Sequence, residues 1–219
     1  MTAAVSIIDY GSGNLLSVAR AFEHCGASAA LAQDAAAIER AERLVLPGVG
    51  AFADGMQGLH ERGLVDAILR YAASGRPLLG ICLGMQMLAS DSAEFGSHGG
   101  LNLIPGRVQA IPARDVDGTA QKIPHIGWAD LQPPRPGRWA GTLFEATPEG
   151  TSVYLVHSFH FVPDQPDQRL ADCYYGGHAI AAAVQSDNII GCQFHPEKSG
   201  AAGLALLAAF LRLDGGKAR

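Results

Sequence analysis

The sequence has few of the features that mark several classes of protein. Its four cysteines (Cys25, Cys82, Cys173 and Cys192) form no Cys-x-x-Cys pair, which argues against a zinc knot and a disulfide framework. The 16 lysines and arginines are outnumbered by 21 acidic residues and form no basic stripe, which gives no support for nucleic-acid binding. No apolar run approaches membrane-spanning length, and the first residues lack the charged segment of a signal peptide. We expect a cytoplasmic protein that binds neither membranes nor nucleic acid.

What is present is ordinary for a globular enzyme. Hydrophobic residues make up 48% of the 219 positions and charged residues 17%, enough to bury a sizeable core. We find no internal repeat and no long low-complexity tail. Residues 1–219 are therefore expected to form a single domain.

Strand and helix signals alternate through the first half of the chain. Strands are predicted at 5–8, 28–31, 44–46 and 78–81, and helices at 15–25, 35–41 and 52–71, the last with breaks at Gly55, Gly58 and Gly63. This alternation predicts an α/β fold with a central, mostly parallel sheet flanked by helices. The second half predicts antiparallel additions to the same sheet, at 101–111, 121–131, 151–161, 180–185 and 189–193, before a last helix at 201–211.

Cys82 lies where the strand at 78–81 turns into a helix predicted from Met85 to Ala89. Gly80 and Gly84 flank it in the Gly-x-nucleophile-x-Gly pattern, in which missing side chains allow a sharp turn that exposes the nucleophile. The start of the helix favours the thiolate, the reactive form of the sulfur. The alternative is a small buried cysteine whose glycines only allow close packing.

Two further loops are expected on the face of the sheet where Cys82 lies, because ligands of open α/β sheets bind beyond the carboxyl ends of the strands. Gly48 and Gly50 follow the strand at 44–46 and free backbone N–H groups to bind an oxyanion opposite Cys82, although a plain strand-to-helix turn has the same sequence. The loop at 9–14 (DYGSGN) lacks the third glycine and the acidic residue of a dinucleotide site, so we expect it to face a ligand or partner.

His195 and Glu197 supply the groups that a cysteine nucleophile requires. They are two residues apart on a predicted extended segment, which places both side chains on one face, and Pro196 stiffens the backbone between them. An imidazole can take and return the proton of the thiol while a carboxylate fixes its tautomer. A solvated His-Pro-Glu turn is the alternative.

No metal site or cofactor is predicted. His157 and His160 are the nearest candidates for metal ligands, but an offset of three on a strand points them to opposite faces.

Two segments resemble the signatures of class I (triad-type) glutamine amidotransferases: residues 80–86 (GICLGMQ) and 193–199 (QFHPEKS). Within that class, four more segments resemble the family of glutaminase subunits of imidazole glycerol phosphate synthases, namely 9–14 (DYGSGN), 47–52 (PGVGAF), 123–128 (IPHIGW) and 154–158 (YLVHS). The six motifs occur in the right order between residue 5 and about residue 211. The resemblance implies the class I amidotransferase fold with Cys82, His195 and Glu197 as the catalytic triad.

The same resemblance implies how glutamine is held. Gln86 and Glu94 bind its amino-acid end, with Ser158 and Phe159 in the adjoining loop. Backbone groups of Val49, Gly50 and Leu83 form the oxyanion site, and rotation of the Val49–Gly50 peptide accounts for weak activity without partner and substrate.

The resemblance also implies a partner, a cyclase subunit with a (βα)8 barrel that receives the ammonia in histidine biosynthesis. Asn14, Tyr154 and Lys198 match positions that face the cyclase. The chain departs from the family at Ala129, where asparagine is usual, and at Leu155 and Phe159 in a strand usually rich in aromatic residues. These departures concern the partner side and not the triad.

Three other functions remain open at this point. One is a stand-alone cysteine hydrolase acting on peptides or γ-glutamyl chains, and another is a catalytically silent binding subunit. The nearest is a paralogous amidotransferase that supplies ammonia to cell-surface amino-sugar synthesis, which only the partner distinguishes.

Overall fold

A seven-stranded sheet forms the centre of the protein in the computed structural model, which describes residues 3–214 and 217–218. In chain order, the strands and α-helices are β1 (Ala4–Ile8), α1 (Leu15–His24), β2 (Ser28–Ala32), α2 (Ala35–Arg40), β3 (Leu44–Gly48), α3 (Phe52–Glu61), α4 (Val65–Ala73), β4 (Leu78–Cys82), α5 (Leu83–Met87), β5 (Asp91–Ser92), β6 (His98–Gly99), β7 (Gly106–Ala110), β8 (His125–Asp130), β9 (Ser152–His157), β10 (Phe159–Pro163), β11 (Arg169–Tyr175), β12 (His178–Ser186), β13 (Ile189–Cys192), α6 (Gly200–Leu211), β14 (Leu213–Asp214) and β15 (Lys217–Ala218).

The order of strands in the central sheet is β11-β12-β13-β4-β3-β1-β2. The five strands from β13 to β2 are parallel, and β11 and β12 extend the sheet as antiparallel strands. This confirms the predicted central, mostly parallel sheet with antiparallel additions. The carboxyl ends of β1, β3 and β4 therefore meet at one edge, with Gly48 of β3 directly beside Cys82 of β4.

Helices cover both faces of this sheet because its parallel strands are apolar on both sides. One core contains Val18 and Phe22 of α1 and Phe210 of α6. The other contains Phe52 of α3 and Tyr71 of α4, together with apolar residues of α2 and α5. Each face of the sheet therefore packs against its own apolar core. That residues 1–219 form a single domain stays a prediction.

The prediction that all later strands join the central sheet is wrong. Strands β10, β7, β5 and β6 form a separate four-stranded sheet, and β8 pairs only with β9 in a hairpin. The segments predicted at 101–111 and 121–131 are also shorter, starting at Gly106 and His125. Turn and loop signals set strand ends, but alternation alone cannot tell which sheet a strand joins.

Two of the predicted helices differ clearly from the observed ones. The helix predicted at 52–71 is two helices separated at Gly63, whereas Gly55 and Gly58 lie inside α3, where they face Met87 and Tyr10 at close range. The helix after Cys82 begins at Leu83 and has five residues. In the described part of the chain, no helix is long and apolar enough to span a membrane.

Candidate active site

Cys82 ends the central strand β4, and α5 begins at the next residue. Its backbone has φ 55° and ψ −112°, a conformation that costs a residue with a side chain about 1–3 kcal/mol. The corner depends on Gly84, where a Cβ atom would lie only 1.8 Å from the carbonyl oxygen of Leu46. The structure thus places the sulfur on a strained corner at the carboxyl edge of the sheet, where the sequence predicts it.

His195 and Glu197 form a buried pair. The Nδ1 atom of His195 lies 2.9 Å from Oε1 of Glu197, and the two side chains are 3% and 1% exposed. The predicted extended segment is wrong, because Glu197 lies in a short 3-10 helix, Pro196–Lys198. The side chains meet because Pro196 begins a turn that folds Glu197 back onto the imidazole, not because they share a strand face.

The backbone around His195 is fixed by Tyr154 and Ser199. The His195 N–H donates to the carbonyl oxygen of Tyr154 at 3.0 Å. The Ser199 hydroxyl donates to the carbonyl oxygen of His195 at 2.7 Å and accepts from the Tyr154 N–H at 3.0 Å. These bonds join the His-Pro-Glu turn to β9 and set the direction of the imidazole.

The pKa of His195 is raised to about 9. Burial lowers it, but side-chain hydrogen bonds to Cys82 and Glu197 outweigh burial and favour the protonated ring. His195 therefore carries a proton at neutral pH and lies between the sulfur and the carboxylate.

A cavity of about 320 Å³ opens at this point, within the range of small-molecule sites. It is lined by Val49, Gly50, Cys82, Leu83, Gln86, Glu94, Pro124, Val156, His157, Ser158, Phe159 and His195. All predicted oxyanion and glutamine-binding residues lie in its wall, together with Cys82 and His195. Glu197 lies behind His195.

Gln86 and Glu94 enter the cavity wall from different elements. The Gln86 Nε2 atom donates to the carbonyl oxygen of Phe159 at 3.0 Å and to Oε1 of Gln193 at 2.9 Å. Glu94, between β5 and β6, accepts at Oε2 from the Phe52 N–H at 2.6 Å. A carboxylate anchored in this way can bind an ammonium group, and a buried amide can bind a carboxylate or an amine.

The loop after β3 brings Val49 and Gly50 to the cavity opposite Leu83. Gly50 has φ 98°, and a Cβ added there would meet nothing within 4 Å. A glycine is therefore favoured at this position by its positive φ and not by lack of space. The Ser12 hydroxyl donates to the carbonyl oxygen of Val49 at 2.9 Å and fixes the orientation of this peptide.

The three predicted partner residues lie outside the cavity. Lys198 is exposed at the end of the 3-10 helix, one residue after Glu197 of the predicted triad. The Tyr154 ring is 6.0 Å from that of Trp128, whose side chain is largely exposed. Asn14 is half-buried at the start of α1.

Sequence reasoning missed two side chains at the site, His157 and Gln193. The His157 ring is buried and lies against the cavity, with Nδ1 2.9 Å from the carbonyl oxygen of Phe159. Burial lowers the pKa of His157 to about 4, so the ring is neutral and Nδ1 is the donor. Gln193 has 0% exposure and reaches Cys82. Its position two residues before His195 in the QFHPE segment was the available signal.

Comparisons with known proteins identify the family. A family model described as glutamine amidotransferase class-I matches residues 6–212. Imidazole glycerol phosphate synthase subunit HisH 1 of Legionella pneumophila (strain Paris) is 53% identical over 211 residues, covering 96% of this chain and 99% of the relative. Subunit HisH of Syntrophotalea carbinolica is 48% identical over 209 residues, covering 94% of this chain and 98% of the relative.

Solved structures agree in fold. A glutamine amidotransferase aligns with a TM-score of 0.69 at 18% identity, covering 94% of this chain and 97% of the other. PurLQS from Thermotoga maritima aligns with a TM-score of 0.69 at 18% identity, covering 96% and 98%. The chain belongs to the class-I glutamine amidotransferase family, in the group of imidazole glycerol phosphate synthase HisH subunits.

Proposed function

We propose that this chain is the glutaminase subunit of an imidazole glycerol phosphate synthase. It hydrolyses glutamine to glutamate and ammonia, and a cyclase subunit with a (βα)8 barrel uses the ammonia to make imidazole glycerol phosphate and AICAR in histidine biosynthesis. The observation that carries the proposal is the buried His195–Glu197 pair, whose imidazole lines one cavity with Cys82. Relatives named HisH support the pathway.

The first half of the reaction releases ammonia. The Cys82 sulfur attacks the carboxamide carbon of glutamine, and the carbonyl π electrons move to oxygen. His195, protonated at neutral pH, gives its proton to the nitrogen as the C–N bond breaks. Ammonia leaves and a γ-glutamyl thioester remains on Cys82.

The second half of the reaction restores the enzyme. The neutral His195 takes a proton from water, whose oxygen attacks the thioester carbon. The C–S bond breaks, glutamate leaves and the sulfur is again beside a protonated imidazole. Glu197 orients the ring throughout and stabilises its charged form.

The negative charge on the substrate oxygen is stabilised by the backbone. We assign this role to the N–H of Leu83, which begins α5, and to the Val49–Gly50 peptide. In the state described, Ser12 holds the Val49 carbonyl oxygen, so donation from this peptide requires a rotation that the positive φ of Gly50 accommodates.

The amino-acid end of glutamine fits the opposite part of the cavity. We assign the ammonium group of glutamine to the Glu94 carboxylate and to Gln86. Ser158 and Phe159, in the adjoining loop, would contact the same end of the substrate. This arrangement favours a free amino acid over a peptide, because a peptide bond removes the ammonium charge that Glu94 would neutralise.

We assign the partner interface to the surface that carries Asn14, Tyr154 and Lys198. Exposed Ile126 and Trp128 on β8 add apolar area there. A cyclase bound to this surface would lie beside the triad, since Lys198 follows Glu197 directly. We also place the protein in the cytoplasm, where histidine biosynthesis takes place.

The proposal is tested with the purified complex of this chain and its cyclase, supplied with either glutamine or an ammonium salt. The wild-type complex should form imidazole glycerol phosphate from both nitrogen sources. Cys82→Ala should abolish the reaction with glutamine and leave that with ammonium unchanged. Turnover of glutamine by Cys82→Ala would refute the proposal. So would the finding that the chain supplies ammonia to an amino-sugar enzyme and not to the cyclase.

A further inference from the structure

Gln193 is the most deeply buried amide side chain beside the nucleophile. It follows β13, and its N–H donates to the carbonyl oxygen of Ala182 at 2.8 Å, which fixes its backbone. The side chain is wholly buried and contacts two residues of the cavity at once. Its Oε1 accepts from Gln86 at 2.9 Å, and its Nε2 lies 3.8 Å from the sulfur of Cys82.

The orientation of both amides follows from the carbonyl oxygen of Phe159. A carbonyl oxygen can only accept, so the atom of Gln86 that faces it at 3.0 Å is Nε2. The same Nε2 faces Gln193 at 2.9 Å, so Gln193 presents Oε1 to it. The remaining end of Gln193, the donor Nε2, must then face Cys82.

The hydrogen bonds of Gln86 and Gln193 therefore form a chain in which each donor is assigned. Gln86 donates to Phe159 and to Gln193, and Gln193 donates to the sulfur. The Oε1 atom of Gln86 stays available as an acceptor for the substrate. An N–H that faces sulfur stabilises the thiolate relative to the thiol, because a hydrogen bond to the charged form favours it.

We propose that Gln193 is a further residue of the glutaminase reaction, which donates a hydrogen bond to the Cys82 sulfur and links it to Gln86. This inference rests on the proposed glutaminase function. His195 and Gln193 then approach the sulfur as two separate donors, and the residue that holds glutamine shares a hydrogen-bonded unit with the nucleophile. Loss of the amide should affect both the reactivity of sulfur and the binding of substrate.

The first test measures alkylation of Cys82 by iodoacetamide in Gln193→Met, which fills a similar volume without a donor or acceptor. Loss of one modest hydrogen bond predicts alkylation about fivefold slower at pH 7. The difference should close at alkaline pH, where the thiolate forms without help. Equal rates at pH 7, or one constant ratio at every pH as general damage to the site would give, would overturn the proposal.

The second test separates the two contacts by steady-state kinetics of the complex with its cyclase. Gln193→Met should raise the KM for glutamine about fivefold and lower kcat, whereas Gln193→Glu keeps an acceptor for Gln86 and should hold KM within about twofold of wild type. The exposed Gln109→Glu is the matched control and should change neither. A KM that rises equally in both variants would overturn the link to Gln86.

A failure of the inference about Gln193 can be told apart from a failure of the proposed function. If wild-type protein fails to hydrolyse glutamine, the glutaminase function is wrong whatever Gln193 does. If wild type is active, Cys82→Ala is inactive and both Gln193 variants match wild type in alkylation and KM, only the role of Gln193 is wrong.

Discussion

The imidazole of His195 and the carboxylate of Glu197 meet at 2.9 Å with both side chains almost wholly buried. Burial lowers the pKa of His195, and the hydrogen bonds to Cys82 and Glu197 raise it to about 9. In the proposed mechanism, this ring gives its proton to the nitrogen of glutamine, which then leaves as ammonia. The pair therefore sets the pH range in which the site can work.

Glutaminase activity should fall as the pH rises through about 9, because His195 then loses its proton. Glu197→Gln removes the carboxylate, so His195 should lose its proton at a lower pH and the alkaline decline should move down. We expect kcat to drop by about 10²- to 10⁴-fold, as for other triads that lose their orienting acid. The measurement is kcat/KM from pH 6 to 10, with exposed Glu145→Gln as control. An unmoved alkaline limb in Glu197→Gln would contradict the assigned role.

Gly84→Ala should destabilise the protein, because the new Cβ would lie 1.8 Å from the carbonyl oxygen of Leu46, a backbone atom that cannot move aside easily. We expect a loss of about 3 kcal/mol or more in the free energy of unfolding. Chemical denaturation measures this loss. Gly99→Ala is the matched control, since a Cβ there meets nothing within 4 Å. Equal stability of the two variants would show that the corner at Cys82 is not tightly packed.

Glu94→Gln should raise the KM for glutamine by about tenfold or more, because it removes the charge that we propose neutralises the substrate's ammonium group. The substituted amide still offers an oxygen to the Phe52 N–H, so the loop should keep its place. Steady-state kinetics give KM, and iodoacetamide labelling of Cys82 should stay at the wild-type rate. A fall in kcat with no change in KM would place Glu94 elsewhere in the reaction.

Glutamine turnover should increase when the cyclase and its nucleotide ligand are added. The physical reason that we propose is the Val49–Gly50 peptide. Ser12 holds its carbonyl oxygen, so we expect the peptide to turn before its N–H can face the oxyanion. A ligand can shift that rotation only through a difference in affinity for the two states. Glutaminase assays with and without the cyclase measure the effect, and no increase would remove the coupling from the account.

Much of the fold is local in origin and could be predicted. Apolar runs and glycine turns mark β1, β3 and β4, and parallel pairing of these strands places their loops on one edge. The class I amidotransferase fold and the family resemblance are confirmed by the comparisons. The separate sheet of β5, β6, β7 and β10 could not be predicted, because alternation sets which face of a strand is buried but not which strand it pairs with.

At the site, spacing predicted the corner at Cys82 but not the way Glu197 reaches His195. The 3-10 helix that begins at Pro196 is joined to β9 by the bonds of His195 and Ser199 with Tyr154, a distant residue that no local pattern contains. Gln193 was missed for the same reason, since its role depends on the distant residues Gln86 and Cys82. Roles that depend on long-range contacts need the structure.

The most direct test of the account is to treat the protein with a glutamine-like chloroketone and to map the label by mass spectrometry. Burial raises the pKa of the thiols of Cys25, Cys173 and Cys192, so these cysteines should react slowly. The account predicts labelling of Cys82 in proportion to the loss of glutaminase activity, with protection by glutamine. Equal labelling of all four cysteines, or full activity with Cys82 labelled, would contradict it.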